Sequence, residues 1–238
     1  MGYNISFMVE TPLQEIQARV RAAAARADRD PEQICLIGVT KGIGLDRIEP
    51  VVASGLADVG ESRIQEAREK FGILGAKARW HLIGHLQSNK AKFAVELFDV
   101  IHSVDSLELV EKLHLQMQSR QRPLGKASHL DLLVQVNLTG EATQHGCQPE
   151  EVEPIARAIL GAQPLRLVGL MTLGSKSEDP EACRPVFRSL RVLRDSLQET
   201  LKFPLGLSMG MSQDFEVAIE EGATWVRVGS ALFGERNL

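Results

Sequence analysis

Gly206-Leu207-Ser208-Met209-Gly210-Met211-Ser212 and, further along, Val226-Arg227-Val228-Gly229-Ser230-Ala231 decide the reading of this chain. Each opens as a short apolar strand and passes through small residues toward a helix or turn. Glycine and serine let backbone N–H groups come close to a ligand, and a helix N-terminus favours an anion there. Two such strand ends, about twenty residues apart, are what a (β/α)8 barrel sets side by side after its seventh and eighth strands, where phosphate groups commonly bind. If six β–α units precede them, the chain is a TIM barrel holding a phosphorylated small molecule at one end.

Working back from that stretch, strands read over 166–171, 130–136, 100–104, 80–84, 57–60 and 34–40. The last of these, Ile34-Cys35-Leu36-Ile37-Gly38-Val39-Thr40, is a continuous apolar run, as suits a parallel strand buried on both faces. Helices read over 46–54, 61–71 (opened by Glu61-Ser62), 89–97, 105–118, 149–160 and 181–201. An extra helix comes first: Thr11 as cap, Pro12 at the first helical position, Gln14 closing a capping box, then Leu13, Ile16 and Val20 at helical spacing. Residues 1–10 are expected to form a loosely ordered tail. No linker-like or low-complexity segment divides the chain, so residues 1–238 read as one α/β barrel domain. A doubly wound open sheet, or two small domains, would have similar content; strand count and length favour the barrel.

At 238 residues, 44% hydrophobic and 24% charged, the chain can bury one large core. A net charge of −4 and the lack of a basic run give no general attraction to nucleic acid. No apolar stretch approaches the roughly 20 residues of a membrane helix. Residues 1–10 lack the basic-then-apolar order of a secretory signal. Cys35, Cys147 and Cys183 are odd in number and far apart, which reads as reduced thiols in a cytoplasmic protein.

Functional side chains of a barrel gather where strands end. Lys41 follows directly on the first strand; an amine held in the barrel mouth is partly desolvated, which lowers its pKa and makes it a nucleophile toward carbonyls. On the rim it would be an ordinary surface lysine. Ser208, Gly210, Gly229 and Ser230 form a candidate phosphate cup, or merely tight turns. Arg227 lies within the last strand between two valines, and if it faces the interior it needs a partner: a ligand ring nitrogen, or a carboxylate on a neighbouring strand. His81 and His85 have the spacing of a metal pair but straddle a strand end with no third ligand evident, and His102 reads as a packed or hydrogen-bonded histidine. No metal site is assigned.

These residues occur within a longer set of motifs. Gly38-Val39-Thr40-Lys41, Asp58-Val59-Gly60-Glu61, Trp80-His81-Leu82-Ile83-Gly84-His85-Leu86-Gln87-Ser88-Asn89-Lys90 and Ile101-His102-Ser103-Val104-Asp105 come in order. Val136-Asn137-Leu138-Thr139-Gly140-Glu141, Gly169-Leu170-Met171 and the two stretches quoted first follow. From about residue 10 to Arg236 the chain resembles the pyridoxal 5′-phosphate (PLP) homeostasis proteins, the single-domain, alanine-racemase-like barrels. The resemblance implies a fold-type III barrel with no second domain, and PLP bound as a covalent aldimine on Lys41. Ser208 and Gly210 match the phosphate-side motif after strand seven, Gly229 and Ser230 that after strand eight, and Arg227 the arginine facing the pyridine nitrogen. It further implies a monomer that governs free PLP and amino-/keto-acid balance, with apo-enzymes as acceptors. Two positions depart from the family: Ser62 stands where asparagine is usual, and His85 where proline is frequent.

Arginine only donates hydrogen bonds, so a pyridine nitrogen facing Arg227 stays unprotonated and the ring is a weak electron sink. Racemisation also needs an acid/base on each face of a planar intermediate. Lys41 could serve one; the similar racemases supply the other as a tyrosine from a second domain, whereas the one tyrosine here is Tyr3. The expectation is a PLP carrier with no catalytic residues. A slow racemase, transaminase or lyase is the alternative, and a cofactor-free scaffold a third.

Overall fold

The computed structural model describes residues 11–119, 126–141 and 143–235. The tail expected over residues 1–10 lies outside them, as does Tyr3. The helix α1 (Pro12–Arg26) begins as its sequence dictates. The Thr11 hydroxyl accepts from the Gln14 N–H at 3.3 Å, and the Gln14 side-chain Oε1 accepts from the Thr11 N–H at 2.9 Å.

Eight units follow: β1 (Cys35–Val39) and α2 (Leu45–Ala53), β2 (Asp58–Glu61) and α3 (Ile64–Leu74), β3 (Arg79–Leu82) and α4 (Ala91–Leu97), β4 (Val100–Val104) and α5 (Leu107–Ser119). Then come β5 (Leu130–Gln135) and α6 (Val152–Leu160), β6 (Leu165–Met171) and α7 (Arg184–Leu201), β7 (Gly206–Ser208) and α8 (Phe215–Glu220), β8 (Trp225–Val228) and α9 (Ser230–Phe233). Neighbouring strands pair in parallel, and β8 returns to β1 with Arg227 opposite Ile37, closing the barrel. That pairing rules out the open sheet.

Successive strand residues point to opposite sides. Val59, Leu132, Leu170, Val226 and Val228 belong to the main core beneath the helices, where Phe187 and Phe215 are fully buried. Val100, Leu133 and Met171 form a separate small cluster with Trp225 packed on it. Polar residues also stand inside, one each on β3, β4, β7 and β8: His81, His102, Ser208 and Arg227 are all buried. α1 packs across α8 and α9, and Arg19 and Arg26 tie it to Glu216 at 2.8 Å each.

One expectation fails in a way that matters for the site. Glu61 does not open the helix expected over 61–71; it is the last residue of β2 and fully buried, and α3 begins at Ile64. Its partner is Lys70 of α3, whose side chain also turns inward. The long helix starts at Arg184 rather than residue 181, after a 3-10 turn, Pro180–Cys183, capped by Asp179. No helix among the described residues is long and apolar enough to cross a membrane.

Candidate functional site

The strand ends surround a cavity of about 430 Å³. Lys41 lines it from beyond β1, Ser62 from beyond β2, Gly84 and His85 from beyond β3, and Arg227, Gly229 and Ser230 from the last unit. Gly84 is a glycine by necessity, since a Cβ there would lie 2.3 Å from the Ser62 carbonyl oxygen.

Val39 and Lys41 face the cavity, and Thr40 between them faces away. The Thr40 hydroxyl donates to Glu61 Oε1 at 2.6 Å, while Lys70 Nζ donates to the Thr40 carbonyl at 2.6 Å and to Glu61 Oε1 at 2.5 Å. The residue that precedes Lys41 is thus pinned from both sides by a buried ion pair. Burial holds the Glu61 carboxyl above the usual range against the pull of Lys70 and Thr40.

Arg227 is 3% exposed. Its Nη1 donates to the Ser208 carbonyl at 3.1 Å and the Ser208 hydroxyl at 2.7 Å, and its Nη2 to the Thr172 carbonyl at 2.9 Å. A guanidinium has five N–H donors; the other two find no acceptor among the described residues. Among the described residues no carboxylate pairs with it, though Asp214 attracts it at longer range. Burial pulls its pKa down to about 10, which still leaves it charged at neutral pH.

Of the four cup residues, Gly229 and Ser230 line the cavity and Ser208 and Gly210 do not. β7 is only three residues long and Ser208 points into the barrel, where its hydroxyl is held by Arg227 and by His102 Nδ1 at 2.9 Å. Gly210 serves the backbone. Its φ is +89°, a Cβ on it would lie 2.5 Å from that of Ala218, and its carbonyl accepts from the Arg227 N–H at 3.0 Å. Four residues past the strand, Ser212 reaches the cavity, and its hydroxyl accepts from the Gly229 N–H at 3.1 Å. Ser212 ends the quoted motif; the signal was present, but a reading confined to strand ends stopped short of it.

The two histidines with metal-like spacing part company. His81 is in the barrel interior, its Nε2 2.7 Å from Asp58 Oδ1 and its Nδ1 2.9 Å from His102 Nε2. His85 is at the cavity rim, stacked on His145 with centroids 3.8 Å apart and planes 7° from parallel. Asp105 stands beside them, 3.6 Å from His85 Nδ1. Rings so stacked cannot both aim a lone pair at one ion unless one of them turns.

This closed barrel, with a lysine after β1, an inward arginine on β8 and small-residue turns after β7 and β8, is of the class of alanine racemase's N-terminal domain. The family model for that domain matches residues 12–237. The pyridoxal phosphate homeostasis protein of Pseudomonas aeruginosa is 41% identical over 226 residues, covering 94% of this chain and 94% of that protein. Its counterpart in Aquifex aeolicus is 39% identical over 227 residues, covering 94% and 97%. Among solved structures, PipY of Synechococcus elongatus with PLP bound superposes with a TM-score of 0.76 at 35% identity, covering 91% of this chain and 100% of that one. The chain belongs to the family of pyridoxal phosphate homeostasis proteins.

Proposed function

We propose that this protein holds pyridoxal phosphate in the barrel mouth, linked to Lys41 as a Schiff base, and releases it to apo-enzymes, without a catalytic turnover of its own. The observation that carries the reading is Arg227: a buried, charged guanidinium beside the cavity, with three N–H groups fixed by the protein and two left for an acceptor such as a ring nitrogen. A cavity of about 430 Å³ is ample for a small phosphorylated ring. The chemistry pyridoxal phosphate would supply when bound is that of an aldehyde, an electrophile open to the amine of Lys41.

The residues divide the work by chemistry. Ser212, Gly229 and Ser230 would take the phosphate, since the N–H groups of Ser230 and Ala231 open α9 and have no intrahelical acceptor. Thr40, braced by Glu61 and Lys70, holds the backbone that carries Lys41. Arg227 accepts no proton and gives none up at neutral pH, so it orients the ring and leaves its nitrogen unprotonated. The mouth is open to entry and exit, as exchange requires.

Absorption spectra of wild type and Lys41→Ala after incubation with pyridoxal phosphate test this. Wild type is expected to gain a near-visible band that borohydride abolishes by fixing the cofactor to the chain, and the variant to lack it. A colourless wild type, or a band retained in the variant, refutes the linkage. Turnover of any amino acid well above that of free pyridoxal phosphate refutes the carrier role.

A further inference from the structure

The barrel interior holds a feature that cofactor binding by itself does not require. Barrel cores are ordinarily packed with branched apolar side chains. Here Asp58, His81, His102 and Ser208 run in one unbroken file across the interior and end on Arg227, with successive contacts of 2.7, 2.9, 2.9 and 2.7 Å. His81, His102 and Ser208 are completely buried, and the side chain of Asp58 at the far end is 17% exposed. We infer that this file is a one-way hydrogen-bond chain whose role is to present Ser208 to Arg227 purely as an acceptor, and so to hold the guanidinium in position for the ring nitrogen of the cofactor. The inference rests on the proposed binding of pyridoxal phosphate.

The direction follows from the donors and acceptors available. An ionised carboxylate only accepts, so His81 Nε2 carries the proton shared with Asp58. The Asp58 carboxyl is indeed held below its usual range: burial, the largest single influence, pushes upward, and the attraction of His81, the bond from Cys35 and the charge of Arg79 together outweigh it. Burial lowers both histidines, His102 strongly, so each ring is neutral and has one N–H. With Nε2–H used on Asp58, His81 Nδ1 must accept, and its donor is His102 Nε2–H. His102 Nδ1 then has only a lone pair, and the Ser208 hydroxyl donates to it. The Ser208 oxygen is left to accept from Arg227. Reversing any link would set Ser208's hydrogen against a guanidinium that cannot accept, with no other acceptor for it among the described residues.

The chain also answers a question of charge. Arg227 is buried with no carboxylate of the described residues in contact, which is costly for a cation. Oriented dipoles that end on the Asp58 charge point their negative ends at it, and bonds in such a file strengthen one another. Asp58, His81 and His102 are therefore positioning residues. They never meet the cofactor, and Ser208 is the link through which they act.

The first arm of the test needs no cofactor. In protein labelled with 15N-histidine, with His81→Gln and His102→Gln used to assign the signals, both buried rings are expected to be neutral and protonated on Nε2 at pH 7. A ring protonated on Nδ1, or on both nitrogens, overturns the chain. In the second arm, pyridoxal phosphate labelled with 15N at the ring is bound to wild type, Ser208→Ala and Asp58→Asn, the last keeping shape and an acceptor while removing charge. Ser208→Ala is expected to weaken the cofactor about tenfold, the effect of one lost hydrogen bond to a charged group. The borohydride-trappable band should persist while the ring-nitrogen resonance moves, with Asp58→Asn shifting it less in the same sense. An unmoved resonance and affinity within about twofold of wild type overturn the positioning role. Should Asp58→Asn fail to fold, wild type and Ser208→Ala decide the matter. Should wild type take up no cofactor, it is the proposed function that fails, and the first arm still settles the chain's direction.

Discussion

Replacing Lys70 by methionine removes one ammonium and almost nothing else, because the side chains are similar in length and the site is closed to water. Lys70 is 8% exposed and Glu61 fully buried. In the variant, Glu61 keeps only the Thr40 hydroxyl at 2.6 Å, and the Thr40 carbonyl loses its 2.6 Å donor. Deleting one member of a buried pair costs about 3–5 kcal/mol, mostly the penalty of the stranded charge. At about 2–4 °C per kcal/mol for a chain of this size, the melting temperature should fall by roughly 6–20 °C. The pH dependence has a definite sign. Burial already raises the Glu61 carboxyl, and without Lys70 it rises further. A carboxyl whose folded pKa exceeds its unfolded one takes up a proton on folding, so the deficit is full above the folded pKa and shrinks as pH falls toward the unfolded value. Thermal and urea unfolding of wild type, Lys70→Met and Glu61→Gln/Lys70→Met at two pH values would measure this. The double variant buries no charge and should recover most of the loss. A single-variant deficit under about 1 kcal/mol, or one that grows on acidification, would refute the reasoning.

Gly210→Ala should lower stability by at least about 2 kcal/mol, since a positive φ and an overpacked contact each cost about 1 kcal/mol or more; a loss of cofactor affinity at unchanged stability would instead make Gly210 a ligand contact. Ser212→Ala should leave the melting temperature nearly unchanged and weaken the cofactor about tenfold, as read by spectral titration; an equal affinity would remove Ser212 from the phosphate cup.

The barrel was legible because its signals are local. The longer strands, β1, β5 and β6, are largely apolar runs bounded by turn residues, and Thr11-Pro12-Leu13-Gln14 spells out a helix cap whose hydrogen bonds join neighbours three residues apart. That Lys41, Arg227, Gly229 and Ser230 would meet at one cavity was legible for the same reason, each lying in or just after an identifiable strand. What escaped depends on direction and distance. Ser208 sits at the strand end as expected, but its side chain points into the barrel, and the pleat cannot be phased from a three-residue strand. Lys70, in the run Gln65-Glu66-Ala67-Arg68-Glu69-Lys70, resembles every other charge on a solvated helix face until β2 supplies Glu61 beneath it. His102 and Ser208 are 106 positions apart, and nothing in either neighbourhood names the other.

The same long-range contacts bear on why such a barrel would carry a cofactor instead of using it. Pyridoxal phosphate withdraws electrons from a bound amine most strongly when its ring nitrogen is protonated. A group able to supply that proton would need an acidic hydrogen, and Arg227, with a pKa near 10 even under burial, keeps its own. Three of its hydrogens are fixed on Ser208 and Thr172, so what it would offer a bound ring is orientation and positive charge. The chain behind it ends on the ionised Asp58, which favours the charged guanidinium over any arrangement that would move a proton toward the cofactor. On the proposed function, binding through Lys41, Arg227 and the phosphate turns would coexist with a ring kept electronically quiet, and a cofactor held that way would stay intact for an acceptor protein.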